Sequence, residues 1–222
     1  MHKYATEAEF LRDISGVLVG IYLAGMLLNG GAAYHWWRRA SQEGRRCRVA
    51  ALAWSFLALV FCGLLCLAAG GEPGYIRVIS FPASWRDGFD RVLSPTVLMG
   101  MAVVGLGVFY RFRAVLSHPL VAWTALNLSL LFLGLAMPDR DFAAIVTKPD
   151  HVPIVGLIYL IAFFSWLATR KAVVNDESLA AGGPPLEAEE TERVLVWPDL
   201  VDIEVICMVG VTVLLMVWSM TI

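Results

Sequence analysis

Charged residues are missing from six stretches of this 222-residue chain. Ile14–Trp37, Val49–Gly71, Val92–Tyr110, Ala114–Pro138, Val152–Thr169 and Val205–Ile222 contain no Asp, Glu, Lys or Arg, and each runs for 18 to 25 residues. A helix rises about 1.5 Å per residue, so about 20 apolar residues cross the ~30 Å hydrocarbon core of a bilayer. A charge at the centre of such a helix costs about 2.5–3.5 kcal/mol on insertion scales, which makes its absence from all six a strong pattern. The pattern predicts an all-α integral membrane protein, a bundle of about six transmembrane helices. It divides the chain into a five-helix membrane region at 1–174, an acidic cytoplasmic linker at 175–196 and a sixth transmembrane helix at 197–222.

The polar positions between the runs give an orientation. Arg38, Arg39, Arg45, Arg46 and Arg48 follow the first run, Arg111 and Arg113 the third, and Arg170 and Lys171 the fifth. With Arg193 they make ten basic residues on one side against seven on the other (Lys3, Arg12, Arg77, Arg86, Arg91, Arg140 and Lys148). The positive-inside rule places the first group in the cytoplasm and both termini outside. The first run reads as a retained helix rather than a cleaved leader. Its flank is mixed in charge, it is too long, and it ends in the interfacial series Tyr34-His35-Trp36-Trp37. In the linker, Gly182-Gly183-Pro184-Pro185 breaks any helix. Asp176, Glu177, Glu187, Glu189, Glu190 and Glu192 around that break read as a solvated run.

Composition narrows the function. Only 16% of residues are charged, against about 25% in soluble domains, and no extramembrane segment approaches the ~50 residues of a folded domain. Any chemistry therefore sits in the bundle or belongs to partner subunits. A net charge of −2 gives no reason to expect nucleic acid. Cys62 and Cys66 share a helix face, but packing explains them, as it does Cys47 and Cys207. No Cys-x-x-Cys-His occurs, so covalent haem is not expected, and the cysteine spacing does not suit an iron–sulfur cluster.

Pumps and ion-coupled transporters need ionisable groups at membrane depth, and the runs hold none apart from histidines near their ends. Tyr22, Asn29, Asn127, Ser129 and Tyr159 can join helices by hydrogen bonds but cannot form a proton relay. Gly16, Gly20 and Ala24, and likewise Thr96 and Gly100, recur at four-residue spacing and predict close helix packing. His35 ends the first helix and His118 opens the fourth, near one face. A pair of imidazoles can ligate haem b between helices or line a quinone site. The plainer reading is two interfacial histidines, with His118-Pro119 marking a helix start. Lys148-Pro149-Asp150-His151-Val152-Pro153-Ile154 and Trp197-Pro198-Asp199-Leu200 read as capped helix entries.

The stretch Val196-Trp197-Pro198-Asp199-Leu200-Val201, followed by one apolar helix, resembles the entry to the first helix of subunit four of the cytochrome b6f complex. It also resembles the matching region of bacterial menaquinol–cytochrome c reductases. The Lys-Pro-Asp-His-Val-Pro-Ile helix before it resembles a segment of bacterial membrane subunits found with such reductases, and the likeness covers roughly residues 145–222. It implies a multi-pass subunit of a bacterial cytoplasmic membrane complex. Such a subunit would be non-catalytic or line a quinone site, and its partners would be a cytochrome b or other redox subunit, and lipid. The resemblance implies no firmly bound cofactor of this chain's own, with menaquinone or haem b as the groups it would meet. Trp197, Pro198 and Asp199 become the partner-docking residues. The family's Pro-Glu-Trp-Tyr quinol-oxidation motif follows that helix, and this sequence stops at Ile222 before the corresponding point. The four haem histidines of cytochrome b have no counterparts, so no catalytic residue carries over.

Overall fold

The computed structural model describes residues 6–43, 45–92, 94–185, 188 and 197–221, and His2, Lys3, Glu187, Glu189, Glu190, Glu192 and Arg193 lie outside them. The described residues carry helices and no strands. In chain order we label them α1 (Glu7–Glu43), α2 (Arg45–Ala69), α3 (Pro73–Val78), α4 (Ala83–Val92), α5 (Pro95–Arg111), α6 (Arg113–Leu116), α7 (Pro119–Ala136), α8 (Arg140–Val146), α9 (Val152–Ala180) and α10 (Asp199–Thr221). Five of them, α1, α2, α7, α9 and α10, are long and apolar enough to cross a membrane, and α5 is a shorter apolar helix. The chain is an all-α, multi-pass membrane protein.

Two run boundaries move, both at prolines. The third run starts at Val92 in sequence, but Val92 ends α4 and α5 begins only at Pro95, after Ser94 in extended conformation. Proline suits the first helical position because its missing N–H is unpaired there anyway. The fourth run splits at His118-Pro119 into α6 and α7 for the same reason. At the far end, α9 continues to Ala180, past position 175 where the linker was read. It stops in a Schellman turn. Gly182 takes φ +79°, its N–H reaches Leu179 O at 3.0 Å, and Gly183 N–H reaches Ser178 O at 2.9 Å.

The chain forms two compact units, Met1–Val155 and Gly156–Ile222. In the first, α1 and α2 form an antiparallel hairpin. The buried positions of α2 are Cys47, Ala51, Trp54, Phe61 and Ala68, spaced on a seven-residue repeat. Those of α1 include Leu11, Leu18, Tyr22, Asn29, Ala33 and Ala40, at alternating steps of seven and four residues. Both spacings keep one stripe of each helix turned to its partner. Lipid tails are as apolar as leucine, so this seam is held by close van der Waals fit rather than by escape from water. The fit depends on two glycines. A Cβ on Gly25 would run into the Phe61 ring, and one on Gly134 of α7 would stand 2.5 Å from Tyr22 Cε1. Gly16 and Gly20, by contrast, would meet nothing within 4 Å, and Ala24 is exposed with them. Within this chain the predicted small-residue stripe makes no close approach, nor does Gly100.

The second unit holds the rest of α9 and α10. None of the apolar window of either helix is buried. The entry to α10 forms at the expected place, with the N–H groups of Val201 and Asp202 reaching Pro198 O at 2.9 and 3.2 Å.

Candidate functional site

The interior of the first unit is closed by one polar cluster at mid-helix depth. Asn29 of α1 donates through Nδ2 to Asn127 Oδ1 of α7 at 2.5 Å, and to Gly25 O one turn back at 2.8 Å. Its Oδ1 accepts from Trp123 Nε1 at 3.3 Å. Asn127 Nδ2 donates in turn to Trp123 O at 2.9 Å. The Trp123 ring meets Trp54 of α2 edge-on, with centroids 5.7 Å apart. Both asparagines are buried, at 0% and 5% exposure. Burial of an amide is tolerated only when its donors and acceptors are paired, and here each amide is held by the other and by local backbone. The cluster ties α1, α2 and α7 together; it presents no ionisable group.

The histidines are placed otherwise. His35 is exposed on α1, with its ring edge-on to Trp36 at 5.8 Å. It lies about 120° around α1 from Asn29, away from the face that meets α7. His118 is exposed and caps α7: its Nδ1 accepts from Leu120 N at 3.3 Å, as the helix-start reading expects. The cap occupies one ring nitrogen and no contact joins the two histidines among the described residues. The structure does not bring them together as a ligand pair. His151 Nδ1 lies 2.7 Å from Ile145 O, joining the turn before α9. Beside it Lys148 donates to Asp150 at 3.2 Å and holds that carboxyl below the usual carboxylate range. Trp197 is 78% exposed, and Asp199 opens α10.

Comparison of this chain with family models, with curated proteins and with solved structures gives no match.

The structure adds a feature that the run pattern passed over. Beyond the apolar end of α7, α4 lies against it through a cluster of rings. Phe81 and Trp85 stack at 6.2 Å, and Phe89 meets both Phe81 and Phe132 of α7 at 5.6 Å. Phe132 also meets Phe142 of α8 at 6.4 Å. Phe81 N–H reaches Leu135 O at 3.1 Å, and Arg86 pairs with Asp139 at 3.1 Å. The signal for this in sequence was the aromatic spacing at 81, 85 and 89, which sets one face of a helix.

Proposed function

We propose that this chain is a membrane subunit of a quinol-linked electron-transfer complex, one that scaffolds redox partners and carries no catalytic group of its own. The observation that supports a subunit role is the second unit. The apolar windows of α9 and α10 have 0% of their residues buried, and α5 is likewise exposed along its length. Of these three helices only α9 has a buried residue, Val173, among those described, and apolar surface of this extent suits lipid and neighbouring chains. The two buried asparagines, Asn29 and Asn127, are used in tying helices together. The electron-transfer part rests on the resemblance at Trp197-Pro198-Asp199-Leu200. Pro198 fixes the backbone at the entry to α10, and a tryptophan at that point anchors at headgroup level. Together they set the depth of α10. Menaquinone or haem b held between subunits fits this reading.

The test is purification in mild detergent, with visible spectra and identification of every accompanying chain. A cytochrome b or other redox subunit is expected. Replacing Trp197 and Pro198 together by alanine should lower its recovery and quinol-dependent electron transfer several-fold, with membrane insertion unchanged. An assembly without haem, flavin or iron–sulfur absorbance in any chain would make this a structural subunit of a non-redox complex instead.

The same reading places the chain in a bacterial cytoplasmic membrane with both ends outside. Cysteines introduced at residues 3 and 220 should react with an impermeant thiol reagent from the outside, and one at residue 45 only after the membrane is opened. Labelling in the reverse order would overturn the orientation.

A further inference from the structure

At the end of the bundle where α1 begins and α7 finishes, Glu7, Arg86, Pro138, Asp139, Arg140 and Asp141 line an open cavity of about 450 Å³. That size falls in the range of small-ligand sites, roughly 300–1,000 Å³. Most of the lining charges are already matched. Arg86 pairs with Asp139 at 3.1 Å, and Glu7 with Arg77 at 3.0 Å. Two opposite charges are left over. Arg140 rests over the Phe10 ring at 5.7 Å, and among the described residues it has no carboxylate partner. Asp141 is exposed; its backbone N–H is taken by Asp139, while its own carboxylate has no partner among the described residues. Arg86 also has a buried Nε without an acceptor. The lining thus offers one guanidinium and one carboxylate from successive residues of α8, just beyond the point where the apolar part of α7 gives out at Ala136. Headgroups occupy roughly 5–8 Å on each side of the hydrocarbon core. Trp85, which precedes the lining residue Arg86, is 60% exposed and gives acyl chains an apolar surface.

We propose that this cavity binds a zwitterion with one phosphate and one primary ammonium group, the phosphoethanolamine chemistry shared by a phospholipid headgroup and the free compound. Arg140 takes the phosphate, because a guanidinium matches two phosphate oxygens at once. Asp141 takes the ammonium N–H groups. A headgroup lacking the amine leaves Asp141 unmatched, and a quaternary ammonium has no N–H to donate.

Native mass spectrometry of the full chain in detergent, titrated separately with phosphatidylethanolamine, phosphatidylglycerol and phosphatidylcholine, tests this. Phosphatidylethanolamine should be retained about tenfold better than either of the others, the scale of one charge-assisted hydrogen bond. Arg140→Gln should lower its retention about tenfold. Asp141→Asn should lower it too while leaving phosphatidylglycerol unchanged or better held, a reversal that unfolding cannot produce. Displacement of the lipid by free phosphoethanolamine would show that the headgroup alone is recognised, and resistance to it that the chains contribute; both support the site. Equal retention of the three lipids, or an unchanged preference in both variants, overturns it.

Discussion

Gly134→Ala will loosen α7 from α1 and lower stability by about 1–3 kcal/mol, the usual range for an overpacked core. The added Cβ would stand 2.5 Å from Tyr22 Cε1 and 2.8 Å from both Cζ and Oη. Real Cβ atoms do not approach so closely, and Tyr22 is fully buried, so its ring has no solvent-facing side to swing towards. The backbones must separate instead, and the α1–α7 contact helps to hold the later part of this unit on the hairpin. Gly25→Ala should act similarly through Phe61. Gly16→Ala and Gly20→Ala are the controls, because nothing lies within 4 Å of either position. Tyr22→Phe should partly rescue Gly134→Ala, since it removes one of the three clashing atoms. Thermal unfolding in detergent measures all five proteins. Melting of Gly134→Ala indistinguishable from Gly20→Ala would refute the packing argument.

Asn29→Leu should cost about 2 kcal/mol, because it leaves Asn127 Oδ1 without its donor and Trp123 Nε1 without its acceptor. Hydrogen bonds between membrane helices average about 0.6 kcal/mol and reach about 1.7. Orphaned partners in an apolar interior add to that. Changing both asparagines to leucine should then cost less than the two single changes summed, since neither amide is left seeking the other. A double-mutant cycle on the same unfolding measurement decides it. Additive single effects would mean that the pair contributes nothing as a pair.

The helices themselves were legible in sequence because membrane insertion selects against charge at every position of a span, which writes the span into composition. Their ends were less so. Val92 belongs to α4 rather than to the apolar run it joins in sequence, and only Ser94-Pro95 marks the change. The helix start at His118 was readable because proline at N1 has few other uses. The close approaches within the chain lie at Gly25 and Gly134 rather than along the small-residue stripe. Four-residue spacing at Gly16, Gly20 and Ala24 states that a face is small, and says nothing of where that face points. The phase was available in the bulkier residues: Leu11, Leu18 and Tyr22 define the seam of α1, and Gly25 lies in it. Pairing was out of reach. Asn29 and Asn127 were recognisable as hydrogen-bonding groups, but 98 residues separate them and a single sequence holds no signal that joins them. The two histidines are no easier to place from sequence, for a related reason. Two residues at one end of a bundle can still look in different directions, and helical phase turns His35 away from α7.

The 17 residues of α5 reach about 25 Å, some 5 Å less than an average hydrocarbon core. A short span in a thick bilayer is accommodated by thinning of the lipid or by reach from its flanking side chains, at a fraction of a kcal/mol per Å. One end of α5 is equipped for this. Arg111 lies over Phe112 at 5.6 Å and Arg113 over Tyr110 at 5.6 Å, so two cations are held by rings at the water boundary. The helix is exposed along its length, so the lipid in contact with it must adapt, whereas α1, with 37 residues, spans the same bilayer with length to spare. Where α5 crosses the bilayer, a rim of thinned lipid around it would carry an elastic cost, and a second surface of matching height would relieve it.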